Sequence, residues 1–220
     1  MTEVVRVFTF HARALERDDV WRRTSDLLEA LEIRGGHATV FVDPFSAIEA
    51  DHDLGPRLRE LLECGHEVAQ RTGFDAQDGP EHVRESLERD LGCLRDAGAR
   101  PGGFVAGGWA MPADALPWLR EHGFGYDASP RVSEGWTAPL VQDGVLRLPT
   151  TTSLIRIAKH RGQPLNAGSL AYELGYIHDD DLLAFAHRVA AGTALRRWGD
   201  AGPLITAADL ANRIRSETDR

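Results

Sequence analysis

A parallel α/β architecture is predicted for this 220-residue chain by three observations. Short β-branched and aromatic runs alternate with stretches of helical periodicity, the connections between them are short, and most runs stop at a polar or glycine-containing turn. Such alternation fits an open doubly wound sheet or a closed barrel, and periodicity alone does not choose between them. In either case functional groups collect just beyond the carboxyl ends of the strands, so the residues that close each strand become the candidates for function.

The first strand is Val4 to Phe10, a run of β-branched and aromatic residues that stops at His11-Ala12-Arg13. A helix follows over Val20 to Ile33, with Val20, Thr24, Leu27, Leu28 and Leu31 on one stripe and Gly35-Gly36 ending it. His37 to Val42 is the second strand, closed by Asp43-Pro44 and followed by an irregular acidic loop and a helix from Pro56 to Gly65. Glu67 to Gln70 is a short third strand leading into Arg71-Thr72-Gly73-Phe74-Asp75. Asp78-Gly79-Pro80 opens a helix whose Val83, Leu87, Leu91 and Leu94 share a face.

Gly103 to Ala106 is the fourth strand, with Gly107-Gly108-Trp109 at its end, and the next helix spans Pro112 to His122, with Pro117 as a point of division. Phe124 to Tyr126 leads to Asp127, Val145 to Leu148 ends at Pro149, and Leu174 to Ile177 ends at His178. Asp179 and Asp180 are caps for a helix over Leu182 to Ala191, and Thr206 caps a last helix closed by Ile214 and Arg215. Residues 1–220 read as one domain without repeats or linkers.

Composition narrows the function. With 25 basic against 34 acidic residues the net charge is −9, which gives no electrostatic attraction to nucleic acid or an anionic membrane. No run reaches membrane-spanning length and the start of the chain lacks the form of a secretory signal, so a cytoplasmic protein acting on a small molecule is expected. Its oligomeric state is not encoded in any visible pattern. Cys64 and Cys93 lack metal-ligand spacing and read as buried, inert thiols. Lys159 is the only lysine, which excludes a Schiff-base mechanism elsewhere in the chain.

Several segments resemble the polysaccharide deacetylases of the nodulation-protein type. Phe8-Thr9-Phe10-His11-Ala12 stands where that family carries Thr-Phe-Asp-Asp-Gly, and residues 35–42 are similar to its Gly-x-x-Ala-Thr-Phe-Phe-Val strand. Gly65-His66-Glu67-Val68-Ala69-Gln70-Arg71-Thr72-Gly73-Phe74-Asp75 resembles its Gly-His-Glu-Ile-Gly-Asn-His-Thr-x-x-His. Residues 121–129, Leu146-Arg147-Leu148-Pro149 and Tyr176-Ile177-His178-Asp179 match its last strand ends. The resemblance covers most of the chain and implies a distorted (β/α)7 barrel.

The same resemblance implies a changed active site. Where the family has a base Asp, a metal-binding Asp and two metal-binding His, this chain has His11, Ala12, Arg71 and Asp75. Ala12 has no donor atom, and Arg71 is a permanent cation that repels a metal. The family's Arg-Pro-Pro-Tyr loop is replaced by Val105-Ala106-Gly107-Gly108-Trp109, and only His178, its general-acid position, keeps its type.

The candidates divide by chemistry. His11, His178 and Asp75 are the expected catalytic groups, because an imidazole at a strand end suits proton transfer near neutrality. Arg71, Trp109 and Asp127 are the expected substrate-binding groups: a planar fork for a carboxylate or phosphate, a stacking ring and a strand-end carboxylate. Trp136 is a second stacking candidate, and Asp43 a second strand-end carboxylate whose bland role is a cap. Arg71 and Asp75, four apart, are expected to pair if the turn there is helical. No cofactor is expected; His11, Asp75 and His178 form the one alternative ligand set, with the residue types of a zinc site. The first function implied is a metal-independent His acid-base enzyme acting on a small anionic or sugar-like substrate. The alternatives are a metal-dependent N-deacetylase or amide hydrolase, and a non-catalytic binding protein on the same barrel.

Overall fold

The structure is a computed structural model that describes residues 4–75, 77–112, 115–158, 164–202 and 204–218. In chain order its strands and helices are β1 (Val4–Ala12), α1 (Asp18–Glu32), β2 (Ala38–Val42), α2 (Phe45–Glu49), α3 (Gly55–Glu63), β3 (Glu67–Thr72), α4 (Pro80–Asp96) and β4 (Gly103–Ala106). There follow α5 (Ala115–Glu121), β5 (Tyr126–Asp127), β6 (Leu140–Gln142), β7 (Val145–Arg147), β8 (Thr152–Ser153) and α6 (Leu154–Ile157). The last elements are β9 (Leu165–Ala167), β10 (Leu170–His178), α7 (Phe185–Gly199), β11 (Leu204–Ile205) and α8 (Ala207–Thr218). Lys159 lies outside the described residues.

The sheet runs β6-β7-β5-β4-β3-β2-β1-β10-β8, parallel from β7 to β8. Its two ends are joined by one short segment. Leu148 N donates to Asp127 O at 2.8 Å, while Thr151 N, three residues on, donates to Leu174 O at 2.9 Å. Residues 145–153 thus pair with β5 at one end and β10 at the other. The sheet curls into a distorted barrel of seven parallel staves, with the hairpin strands β6 and β9 added antiparallel outside it.

The alternation of side chains makes two layers. Val5, Val7, Phe41, Ala69, Val105, Tyr126, Leu146, Tyr172 and Leu174 fill the barrel, whereas Phe8, Phe10, Val40 and Val42 pack outward against Leu27, Leu28 and Leu31 of α1. Fully burying each such side chain stabilises by about 1.5–3 kcal/mol. The α1 stripe read from spacing is the buried set of that helix. α8 closes the amino end of the barrel: Leu210, Ala211 and Ile214 join the inner cluster, and Ala207 N and Ala208 N donate to Thr39 Oγ1 and Glu67 Oε2.

Several expectations change. The acidic loop contains α2, and α5 begins at Ala115 with Pro117 in its first turn, where a missing N–H costs nothing, so Pro117 divides nothing. The helix expected over 182–191 is a 3₁₀ turn, Asp179–Leu183, followed by α7 after an extended Ala184. Asp179 caps the β1 turn instead, its Oδ2 accepting from Arg13 N and Ala14 N at 2.7 and 3.0 Å. Neither cysteine is buried: Cys64 is exposed where the chain turns out of α3, and Cys93 is half-buried. Partial desolvation, with the carboxylates Glu32 and Glu60 beside Cys64 and Asp90 and Asp96 beside Cys93, raises both thiols, so both favour the protonated form.

Candidate functional site

Strand register brings the first candidates together. β1 and β10 pair so that His11 stands opposite His178, with Thr9 opposite Tyr176 one layer below. The two imidazoles meet edge to face with centroids 4.9 Å apart. His11 is 2% exposed and is walled by Phe41, Trp109 and Tyr176 at 5.2, 5.1 and 5.8 Å. His178 is half-buried and forms the outer member of the pair.

Hydrogen bonding fixes the inner ring. Thr9 Oγ1 lies 3.3 Å from His11 Nε2 and 3.3 Å from Gly175 O, so the hydroxyl ties the inner ring to the β10 backbone. Burial, then repulsion from His178 and from Arg71, hold His11 well below its ordinary value of 6.5. Burial lowers His178 too, against the pull of Asp181. Both shifts favour the neutral imidazole, the form that accepts a proton.

Arg71 lies beside them but not in the expected pairing. β3 runs through Thr72, so Arg71 is in a strand rather than a helical turn, and the four-residue spacing to Asp75 has no meaning there. The β2–β3 ladder reaches Val42 opposite Gln70, and one step further Asp43 Oδ2 accepts from Arg71 Nη1. Both partners are largely buried. Asp43 is fixed by its own backbone, its N donating to Ala12 O and its Oδ1 accepting from Phe45 N. Burial raises Asp43, opposed by the Arg71 charge.

A glycine makes room for this pair. A Cβ at Gly107 would stand 2.7 Å from Gly73 Cα and 3.1 Å from Arg71 Nη2, so the guanidinium occupies space that only glycine leaves. Two residues on, Trp109 adopts a positive φ of 68°. Its ring lies 4.8 Å from Tyr176 and beneath the Arg131 guanidinium at 5.4 Å.

Two other expected residues fall elsewhere. Asp75 is exposed, in the loop after β3, where its N donates to Asp78 Oδ2. Asp127 follows Tyr126, whose ring points into the barrel, so the next side chain points outward and away from the histidines. It is fully buried, lies 2.7 Å from Arg147 Nε, and accepts from Ser129 N at 3.0 Å. Trp136 stacks on that Arg147 guanidinium at 5.2 Å. Asp127 and Trp136 therefore belong to a buried brace between β5 and β7 rather than to the mouth.

The residues present do not fit the divalent metal that the deacetylase resemblance implies. Ala12 has no donor and packs among Leu15, Leu27 and Val42 in the outer layer. Arg71 brings a positive charge to the position, and among the described residues no three His, Cys, Asp or Glu side chains are grouped to hold an ion.

No protein-family model matches this sequence, and no curated protein matches it. Solved structures do match. A Mycobacterium smegmatis protein assigned to the polysaccharide deacetylases superposes with a TM-score of 0.72 at 18% identity, over 98% of this chain and 92% of that one. The peptidoglycan deacetylase PdaC from Bacillus subtilis gives 0.60 at 16% identity, over 99% and 94%. A pseudoenzyme of the CE4 family from Bacillus anthracis gives 0.61 at 10% identity, over 95% and 66%. The chain has the fold of these polysaccharide deacetylases. That fold is shared by hydrolases and by a pseudoenzyme, so the side chains at the mouth must carry the functional argument.

Proposed function

We propose that this protein is a divergent deacetylase-like enzyme that acts on a small anionic or sugar-like substrate by histidine acid-base chemistry, without the metal its fold relatives would lead one to expect. The observation that carries the reading is the juxtaposition of two imidazoles, His11 and His178, with a guanidinium anchored by Asp43, in surroundings that shift both rings toward the neutral form. His178 is the accessible proton acceptor at the mouth. His11 supports it from beneath, and Arg71 offers a fixed positive charge to a substrate oxygen. Trp109 supplies an apolar wall against which a sugar or acyl group can lie.

A second reading, a non-catalytic binding protein, draws on the near-complete burial of His11 and on the charge neutralisation of Arg71 by Asp43. Under it the same mouth holds a ligand and transforms nothing.

Turnover separates these readings. The purified protein is incubated with a panel of N-acylated amino sugars and small anionic amides, with and without chelator, and products are read by mass spectrometry. Turnover that survives chelator and disappears in His178→Ala supports the enzyme. Turnover only with added zinc points to a metal-dependent amide hydrolase and overturns the proposal. Saturable binding without turnover, unchanged in His178→Ala, supports the binding protein.

A further inference from the structure

Arg71 is shared by two spaces. On one side it faces the histidine pair; on the other it lines a cleft of about 490 Å³ over the carboxyl end of β3. The far wall of that cleft is α4, which presents His82, Ser86 and Arg89 at spacings of four and three residues, a single helical stripe. Gly73, Gly107 and Gly108 line it without side chains, and an added Cβ at Gly108 would meet nothing within 4 Å. Backbone is therefore open to a bound group there.

The cleft's two guanidiniums are built alike. Asp43 holds Arg71 through Nη1, and Asp90, fully buried, holds Arg89 through contacts of 2.9 and 2.8 Å from Nε and Nη2. The Arg89 head also lies over the Phe45 ring at 4.9 Å. Each carboxylate engages part of its guanidinium, and among the described residues no acceptor takes Arg71 Nη2 or Arg89 Nη1. A guanidinium fixed in this way loses less freedom when it binds. Asp75 and Asp78 also line the cleft; Asp78 is engaged by Asp75 N and lies 3.8 Å from His82.

We propose that this cleft binds the oxyanion group of a small molecule, a carboxylate or a phosphate, between Arg71 and Arg89, with Ser86 as a further donor. The inference rests on the reading that the mouth takes a small ligand, and it gives that ligand a charged end lodged away from the histidines. Two oxygens of one oxyanion can each accept from one guanidinium, and the glycine-lined floor admits the group.

The test uses the whole protein with inorganic phosphate and propionate as probes, followed by calorimetry and by amide chemical shifts of Ser86, Gly107 and Gly108. Saturable binding of at least one probe is expected, phosphate pointing to a phosphorylated ligand and propionate to a carboxylate. Arg89→Gln should weaken it at least about tenfold, the scale of one charged hydrogen bond. Because Arg89→Gln strips Asp90 of its partner, His82→Glu provides a second variant on an exposed helix face; its added charge should weaken binding several-fold. Binding unchanged in both variants, or no binding of either probe, overturns the cleft. His178-dependent turnover persisting in that event would leave the acid-base reading standing.

Discussion

Arg71 and Asp43 form a buried ion pair at the ends of neighbouring strands, where the resemblance to deacetylases leads one to expect a metal. Two charges drawn from water are tolerable only together. Asp43→Asn or Arg71→Met alone should each cost about 3 kcal/mol, and the double variant should cost less than the sum by at least about 1.5 kcal/mol. Urea unfolding of the four proteins measures this; additive losses would mean that the pair is not coupled.

Acid should weaken the protein through His11. A histidine whose folded pKa is depressed leaves the unfolded chain binding more protons below its ordinary value of 6.5. Its contribution is therefore complete above that pH and is lost as pH falls beneath it, by up to about 1.4 kcal/mol per pH unit. Asp90, raised to about 6 by burial, acts in the opposite sense, losing stability as pH climbs from 3.8 to about 6. The comparison is thus between wild type and His11→Asn across about pH 5 to 7, where the variant should show the shallower acid loss. Identical profiles would show that His11 is not a buried neutral ring.

Gly107→Ala should be costly for a reason local to Arg71. Its Cβ would meet Gly73 backbone at 2.7 Å, which no rotamer can relieve. A loss of about 1–3 kcal/mol is expected from overpacking, together with altered His178 ring resonances as Arg71 is displaced. A variant of wild-type stability would show that the turn has room to spare.

Asp127→Asn should affect folding rather than ligand binding. The carboxylate is wholly enclosed and braces Arg147, so neutralising it leaves a buried guanidinium unpaired, at a cost of about 3 kcal/mol. Thermal unfolding and probe binding, measured on the same sample, distinguish this from a substrate role, in which binding would fall while stability held.

Strand ends and glycine stops were legible in the sequence because hydrophobic alternation and turn chemistry are local signals. Thus β1, β2, β4 and the α1 stripe lie close to where spacing puts them. The partner of Arg71 was hidden because it depends on how far β3 extends and on its register against β2, both non-local. The signal was nonetheless there: aligning the two strands as parallel neighbours sets Asp43 beside Arg71. Asp127 shows the other difficulty, since a strand two residues long gives too little alternation to tell the inner face from the outer. The α4 wall of the cleft has no signature of its own in the sequence, because the apolar stripe of that helix is the stronger pattern.

A guanidinium supplies positive charge at this mouth, at a position where a metal ion would need a ligand. Zinc is titrated into the protein while the His11 and His178 imidazole resonances are followed. No saturable shift of either ring is expected at stoichiometric zinc. One ion bound per chain, shifting both rings and lost in His11→Ala, would contradict it.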